Sequence, residues 1–114
     1  MTSVRFVLIM GAALLASPAL AASGYEGKWA SNPGQCKLDQ SVQNAPLLLK
    51  AKRYDQHEAH CTFASVTKTG AAAWRIKGRC TVEGSSQPLT MTLAVKGDTL
   101  TMRDVGTRTL KRCR

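Results

Sequence analysis

His57-Glu58-Ala59-His60-Cys61, with Asp55 just before it, is the chain's one cluster of ligand-type side chains. On a helix, His57 and His60 would share a face and could hold zinc or copper through their imidazoles. On a strand, a spacing of three turns them to opposite faces. The two histidines also stand one residue closer than in the zinc-protease motif HExxH. The expectation is a solvated strand edge, with no metal site and no cofactor. Nucleophilic chemistry fares no better. There is no Gly-x-Ser-x-Gly, and Gly84-Ser85-Ser86 is loop composition without a placed base. The acidic residues are scattered, with no pair spaced for glycoside hydrolysis. No glycine-rich phosphate loop occurs. The sequence therefore predicts a protein that binds and does not catalyse.

Charge supplies the binding candidate. The chain has 16 Lys+Arg against 7 Asp+Glu, a formal charge of +9. Such a balance in an exported domain favours anionic partners such as lipopolysaccharide, acidic glycans or acidic proteins. Ala73-Trp74-Arg75-Ile76-Lys77-Gly78-Arg79-Cys80-Thr81-Val82 alternates with a period of two. Trp74, Ile76, Cys80 and Val82 take the buried face of a strand, and Arg75, Lys77 and Arg79 the open face. Successive cations are then about 6.6–7 Å apart. That spacing suits phosphates or sulfates on a polymer, or an acidic patch on a protein.

The elements that must present this row follow from the same periodicity. Cys61-Thr62-Phe63-Ala64-Ser65-Val66-Thr67 is β-branched and aromatic and reads as the partner strand. Placing Cys61 opposite Cys80 sets Phe63 against Gly78, Ser65 against Ile76 and Thr67 against Trp74. Gly70-Ala71 is then the turn, and Val66 faces outward. Thr62, Ala64, Thr90 and Thr92 are the expected outward neighbours of the row. Leu89, Met91, Leu93 and Val95 alternate inward, and Gly97-Asp98 is a two-residue turn that pairs Val95 with Leu100 and Leu93 with Met102. Residues 107–113 return, facing either Cys113 or Leu110 inward according to whether the preceding turn has two or three residues. Upstream, residues 25–30 form a first strand, residues 31–34 a turn, and residues 37–45 a short helical turn or a pinned loop. Residues 47–54 read as one strand, and residues 84–88 as a loop. The result is an all-β domain of seven to eight strands, an antiparallel meander closing as a small barrel or folding as a sandwich.

The ends set the compartment. Arg5, the apolar run Phe6 to Leu15, the break at Ser17-Pro18 and Ala19-Leu20-Ala21 make residues 1–21 a signal peptide. Cleavage follows Ala21 or Ala22, leaving residues 22–114 as a single domain and removing Arg5, which lowers the formal charge by one. No later stretch is apolar enough to span a membrane. Cys36, Cys61, Cys80 and Cys113 all lie in that domain, and an even number in an exported chain predicts two disulfides. The hairpin register favours Cys61–Cys80, which leaves Cys36–Cys113.

Gly27-Lys28-Trp29 on the first strand, a meander after it, and an arginine on the last strand together resemble the calycin families, the lipocalins and the small bacterial inhibitors of secreted metalloproteases. The resemblance implies a tryptophan, Trp29, closing one barrel end beside Gly27, with Arg108 or Arg112 stacked across it. The inhibitor family also places a cysteine soon after its Gly-x-Trp, as Cys36 stands here. On this reading the protein is a non-catalytic periplasmic or secreted binding module, one form of which would be an inhibitor-like protein. The alternative is a structural or stress-related envelope protein that binds anionic polymer through its basic face. Its partners are an envelope component or an exported protein, with no sequence-specific nucleic acid, and a monomer is expected. The exported protein should begin at Ala22 or Ser23 on N-terminal sequencing and weigh about four mass units less than its reduced chain. A product retaining Met1, or one with free thiols, would contradict this reading.

Overall fold

The computed structural model describes residues 24–114, so the expected signal peptide, residues 1–21, lies outside the described residues. The described residues form eight strands: β1 Gly27–Ala30, β2 Leu47–Leu49, β3 Arg53–Gln56, β4 Ala59–Gly70, β5 Ala73–Val82, β6 Ser85–Lys96, β7 Thr99–Arg103 and β8 Thr107–Arg112. Each pairs antiparallel with the next, and β8 pairs back onto β1, closing an up-and-down barrel. An eight-stranded barrel is just wide enough for side chains to fill. Here Trp29, Leu47, Tyr54, Phe63, Trp74, Ile76, Met91, Leu93, Leu100, Met102 and Leu110 fill it.

Both disulfides join the expected cysteines. Cys61 and Cys80 face each other across β4 and β5. Cys36 and Cys113 tie the segment after β1 to the chain end. Loop lengths of 19 and 77 residues give the two bridges about 3 and 4 kcal/mol of stabilisation by chain entropy. Pairs Val95–Leu100 and Leu93–Met102 form as their periodicity predicts, on the turn Gly97-Asp98 with Gly97 at φ 61°. The β7–β8 connection has three residues, Asp104 to Gly106, and Leu110 is the inward residue.

The β4–β5 register departs from expectation past Phe63–Gly78. Ser65 pairs with Lys77, Val66 with Ile76 and Thr67 with Arg75, because a bulge at Ala64 inserts one residue. The turn is Ala71-Ala72, and Gly70 needs no positive φ. Gly78 is the cause we identify. A Cβ there would sit 1.9 Å from the Thr62 carbonyl oxygen, so the two backbones meet more closely than any side chain permits. The bulge turns Val66 to the Ile76 side, yet Val66 stays 38% exposed because β3 pairs with β4 only as far as Thr62.

Three further readings are corrected. Residues 47–54 are not one strand: Lys50-Ala51-Lys52 turns the chain, and Leu49 pairs with Tyr54. Closure requires this corner, and long-range bonds hold it. The Tyr25 hydroxyl donates to the Ala51 carbonyl at 2.6 Å, and Phe63 N–H donates to the Lys52 carbonyl at 2.9 Å. Residues 84–88 are not a loop. Glu83 and Gly84, both at positive φ, make the tight turn, and Ser85 already pairs with Val82. After β1, residues 33–37 form a short 3-10 helix, capped by Asn32 Oδ1 accepting from Gln35 N–H at 3.1 Å.

Gly78→Ala should lower stability by about 3 kcal/mol or more, since the obstructing atom is backbone and cannot swing aside. Gly106→Ala, with nothing within 4 Å of the added carbon, should stay within about 0.5 kcal/mol. Urea midpoints of the two variants check this, and equal midpoints would refute the close approach as the source of the bulge.

Candidate anion-binding face

The barrel wall sorts side chains by periodicity, and on β5 it sends Arg75, Lys77 and Arg79 to solvent. Their cross-strand neighbours are uncharged. Arg75 lies between Thr67 and Thr92, Lys77 between Ser65 and Thr90, and Arg79 between Thr62 and Pro88. The bulge puts Ser65 and Thr67, in place of Ala64, beside the row. Arg103 extends it: Thr92 pairs with Arg103 on β7, which pairs in turn with Thr107. Two rows further along β6, exposed Lys96 pairs with Thr99, which pairs with Lys111. The cations thus form a diagonal stripe, from Arg79 to Lys96 about 27 Å long at strand spacing.

Among the described residues, strands β4 to β8 of this wall carry no carboxylate, and only at the Lys111 end does an acid, Asp98 of the β6–β7 turn, stand close enough to interact. Asp55 on β3 is the one carboxylate in any described strand, and it is already occupied. Arg53 grips it in bidentate fashion at 3.0 and 2.7 Å, and His60 Nδ1 lies 2.6 Å from it. Hydrogen bonds from Arg53, reinforced by His60, hold its carboxyl below the usual aspartate range against the opposing effect of partial burial. Asp98 sits in the β6–β7 turn, bonded to Arg114 and 3.9 Å from Arg112 Nε, and the Arg114 hydrogen bond foremost holds its carboxyl below the usual aspartate range. Glu83 and Asp104 are also in connections. Among the described residues, Arg75, Lys77, Arg79 and Arg103 make no salt bridge. Arg79 Nε donates to Ser86 Oγ at 3.2 Å. Guanidinium and ammonium groups flanked by threonine and serine hydroxyls can together donate hydrogen bonds to sulfate, phosphate or carboxylate oxygens.

The remaining singled-out residues lie elsewhere. His57 is in the β3–β4 turn at φ 54°, its Nδ1 3.0 Å from the Gln40 carbonyl and its Nε2 3.4 Å from Glu58. His60 is on the outer face of β4 beside Asp55, so the two histidines do not converge. Arg112 lies across Trp29, its guanidinium carbon 4.2 Å from the ring centroid. It donates to the Glu26 carbonyl at 2.8 Å and the Gly24 carbonyl at 3.3 Å. Gly27, at φ 144°, leaves the room: a Cβ there would stand 2.7 Å from Arg112 Nη1. Trp29 Nε1 donates to the Tyr25 carbonyl at 2.9 Å, and Tyr25 meets Trp74 edge-on at 5.0 Å. Arg108 is at the other mouth, donating to Gln56 Oε1 at 3.0 Å and contacting Met102 Sδ. There Tyr54, Val82, Leu89, Asp104 and Val105 line a concavity of about 500 Å³.

Arg103 was missed by the sequence reading, although the Leu93–Met102 register already implied its place beside Thr92. No protein-family model matches the chain, and neither the curated proteins nor the solved structures yield a significant match.

Arg112→Ala should lower unfolding free energy by about 2 kcal/mol, from the lost stack and the lost charged hydrogen bond. Arg75→Ala, which removes no folded-state partner, should change it by less than about 0.5 kcal/mol. Denaturant titration of both variants tests the division between a structural arginine and a free one, and comparable losses would overturn it.

Proposed function

We propose that this domain is a non-catalytic, exported binding module that holds anionic polymer, such as lipopolysaccharide or acidic glycan, on the outer face of β5 to β7. The observation that carries the reading is the unpaired row Arg75, Lys77 and Arg79, with Arg103 beside it, on a wall whose strands β4 to β8 contain no carboxylate. Surface cations normally stand among acids, and their separation here leaves a net field facing solvent. Two disulfides suit an oxidising compartment, and among the described residues no helix is long and apolar enough to cross a membrane. The filled interior favours recognition by a surface over enclosure of a small ligand.

A second reading is favoured by the barrel end. Arg112 over Trp29 beside Gly27, on a closed eight-stranded barrel, keeps the resemblance to calycin-type inhibitors of secreted proteases in play. In that reading the target is a protein and the barrel is its scaffold. Against it stands the segment 24–26, held down by Arg112 and Trp29, which gives an N-terminal arm little freedom to reach a protease.

Binding through exposed charge must weaken steeply with salt. Arg75→Glu combined with Arg79→Glu should cut affinity for heparin and lipopolysaccharide by about tenfold or more at physiological ionic strength. The thermal midpoint should stay within a few degrees. Elution of the double variant at the wild-type salt concentration would remove the β5 row as the site and direct attention to Lys50, Lys52 and Arg53.

A further inference from the structure

β4 carries a second feature, a free backbone edge, which the anion-binding reading does not use although the two share Arg75 and Lys77. β5 pairs with β4 from Ala59 to Gly70, but β3 pairs with it only from Ala59 to Thr62. Beyond the bulge, the other edge of β4 has no strand beside it among the described residues. Ala64 to Gly70 are exposed on both faces. An edge strand turns every second residue's N–H and C=O away from its partner, and such a row is a template for a further strand. The sequence Ser65-Val66-Thr67-Lys68-Thr69 has the β-branched composition that accepts one.

We propose that this free edge of β4 docks an acidic, extended segment of a partner protein by strand addition. Charge selects the occupant. Outward side chains of an added strand would lie beside Ser65 and Thr67, and one strand further in stand Lys77 and Arg75. Two interstrand spacings are about 9.6 Å, a gap that a glutamate and a long basic side chain can close from both sides. On the other face the added strand meets Val66, which is 38% exposed, and Lys68. An apolar residue covers the first and a carboxylate pairs with the second. A second copy of this chain fits poorly, because its β4 edge would bring Lys68 against its own kind and draw the two β5 rows of Arg75 and Lys77 together, with no acid on strands β4 to β8 to receive them. The bulge and Lys68 are also the devices by which edges resist self-pairing. Acidic strands escape that resistance.

Amide hydrogen exchange, followed by NMR on the disulfide-bonded exported protein, tests the proposal without a variant. The probe is a synthetic peptide of alternating glutamate and valine, and a peptide of alternating lysine and valine is the control. With the acidic peptide, outward-facing amides between Ser65 and Thr69 should exchange at least about tenfold more slowly. A heparin oligosaccharide should leave those amides unprotected, so exchange at β4 and retention on heparin report separately on edge and face. No slowing at millimolar acidic peptide would overturn the proposal, as would equal slowing by the lysine peptide. Protection that grows with protein concentration alone would also overturn it, by naming a second copy as the occupant.

Discussion

Everything in this domain depends on closing β8 onto β1. The two strands share only two registered pairs, Trp29–Arg112 and Ala30–Lys111. So short a ladder is weak by itself, and three other contacts reinforce it. Arg112 stacks on Trp29 and anchors the backbone of Glu26. Cys113 N–H donates to the Lys28 carbonyl at 2.7 Å. The Cys36–Cys113 bridge covalently fixes the same seam. Once the seam is shut, each strand has one face inside and one outside. Apolar side chains fill the inside, and every charge that cannot be satisfied there goes to the wall.

That partition explains the electrostatic asymmetry. Acids occur in connections, ahead of β1, or on β3, where Asp55 is engaged by Arg53 and His60. Cations occur on strands and connections alike, but the long strands β4 to β6 carry Lys68, Arg75, Lys77, Arg79 and Lys96 with no acid among them. Like charges on a small domain repel and cost stability, and a core of this size offers little reserve. Two disulfides offset such a cost by restricting the unfolded chain. A fold that tolerates an unneutralised stripe therefore has a physical means of doing so. On the proposed reading, the stripe's place on one continuous sheet is what would let it bind and not merely solubilise.

The alternation of Trp74 to Val82 made the central strand and its basic row legible, because a one-sided strand leaves a period that no other element mimics. Gly97-Asp98 between apolar alternations was legible for the same reason. The bulge at Ala64 was not, since it arises from a backbone contact at Gly78 with no signature beyond a glycine. The corner at Lys50-Ala51-Lys52 was hidden because its determinants, Tyr25 and Phe63, are distant in sequence. Ser85 to Pro88 read as a loop on composition. In the fold, Pro88 sits where β7 does not reach, so β6 has one free edge there and can accommodate a residue that lacks an N–H. Of the candidate site, the row was visible from β5 alone. Its extension to Arg103 needed the β6–β7 register, and its isolation from acids needed the whole barrel.

The outer wall at β5 to β7 is the proposed seat of anionic polymer. NMR titration of the disulfide-bonded domain with a defined heparin oligosaccharide tests it most directly. Binding there should give saturable shifts concentrated at Arg75, Lys77, Arg79 and Arg103 and at the hydroxyl residues between them, with affinity falling linearly in log–log form as salt rises. Shifts centred instead on the mouth around Tyr54 and Arg108, or on Lys50 to Arg53, would contradict it.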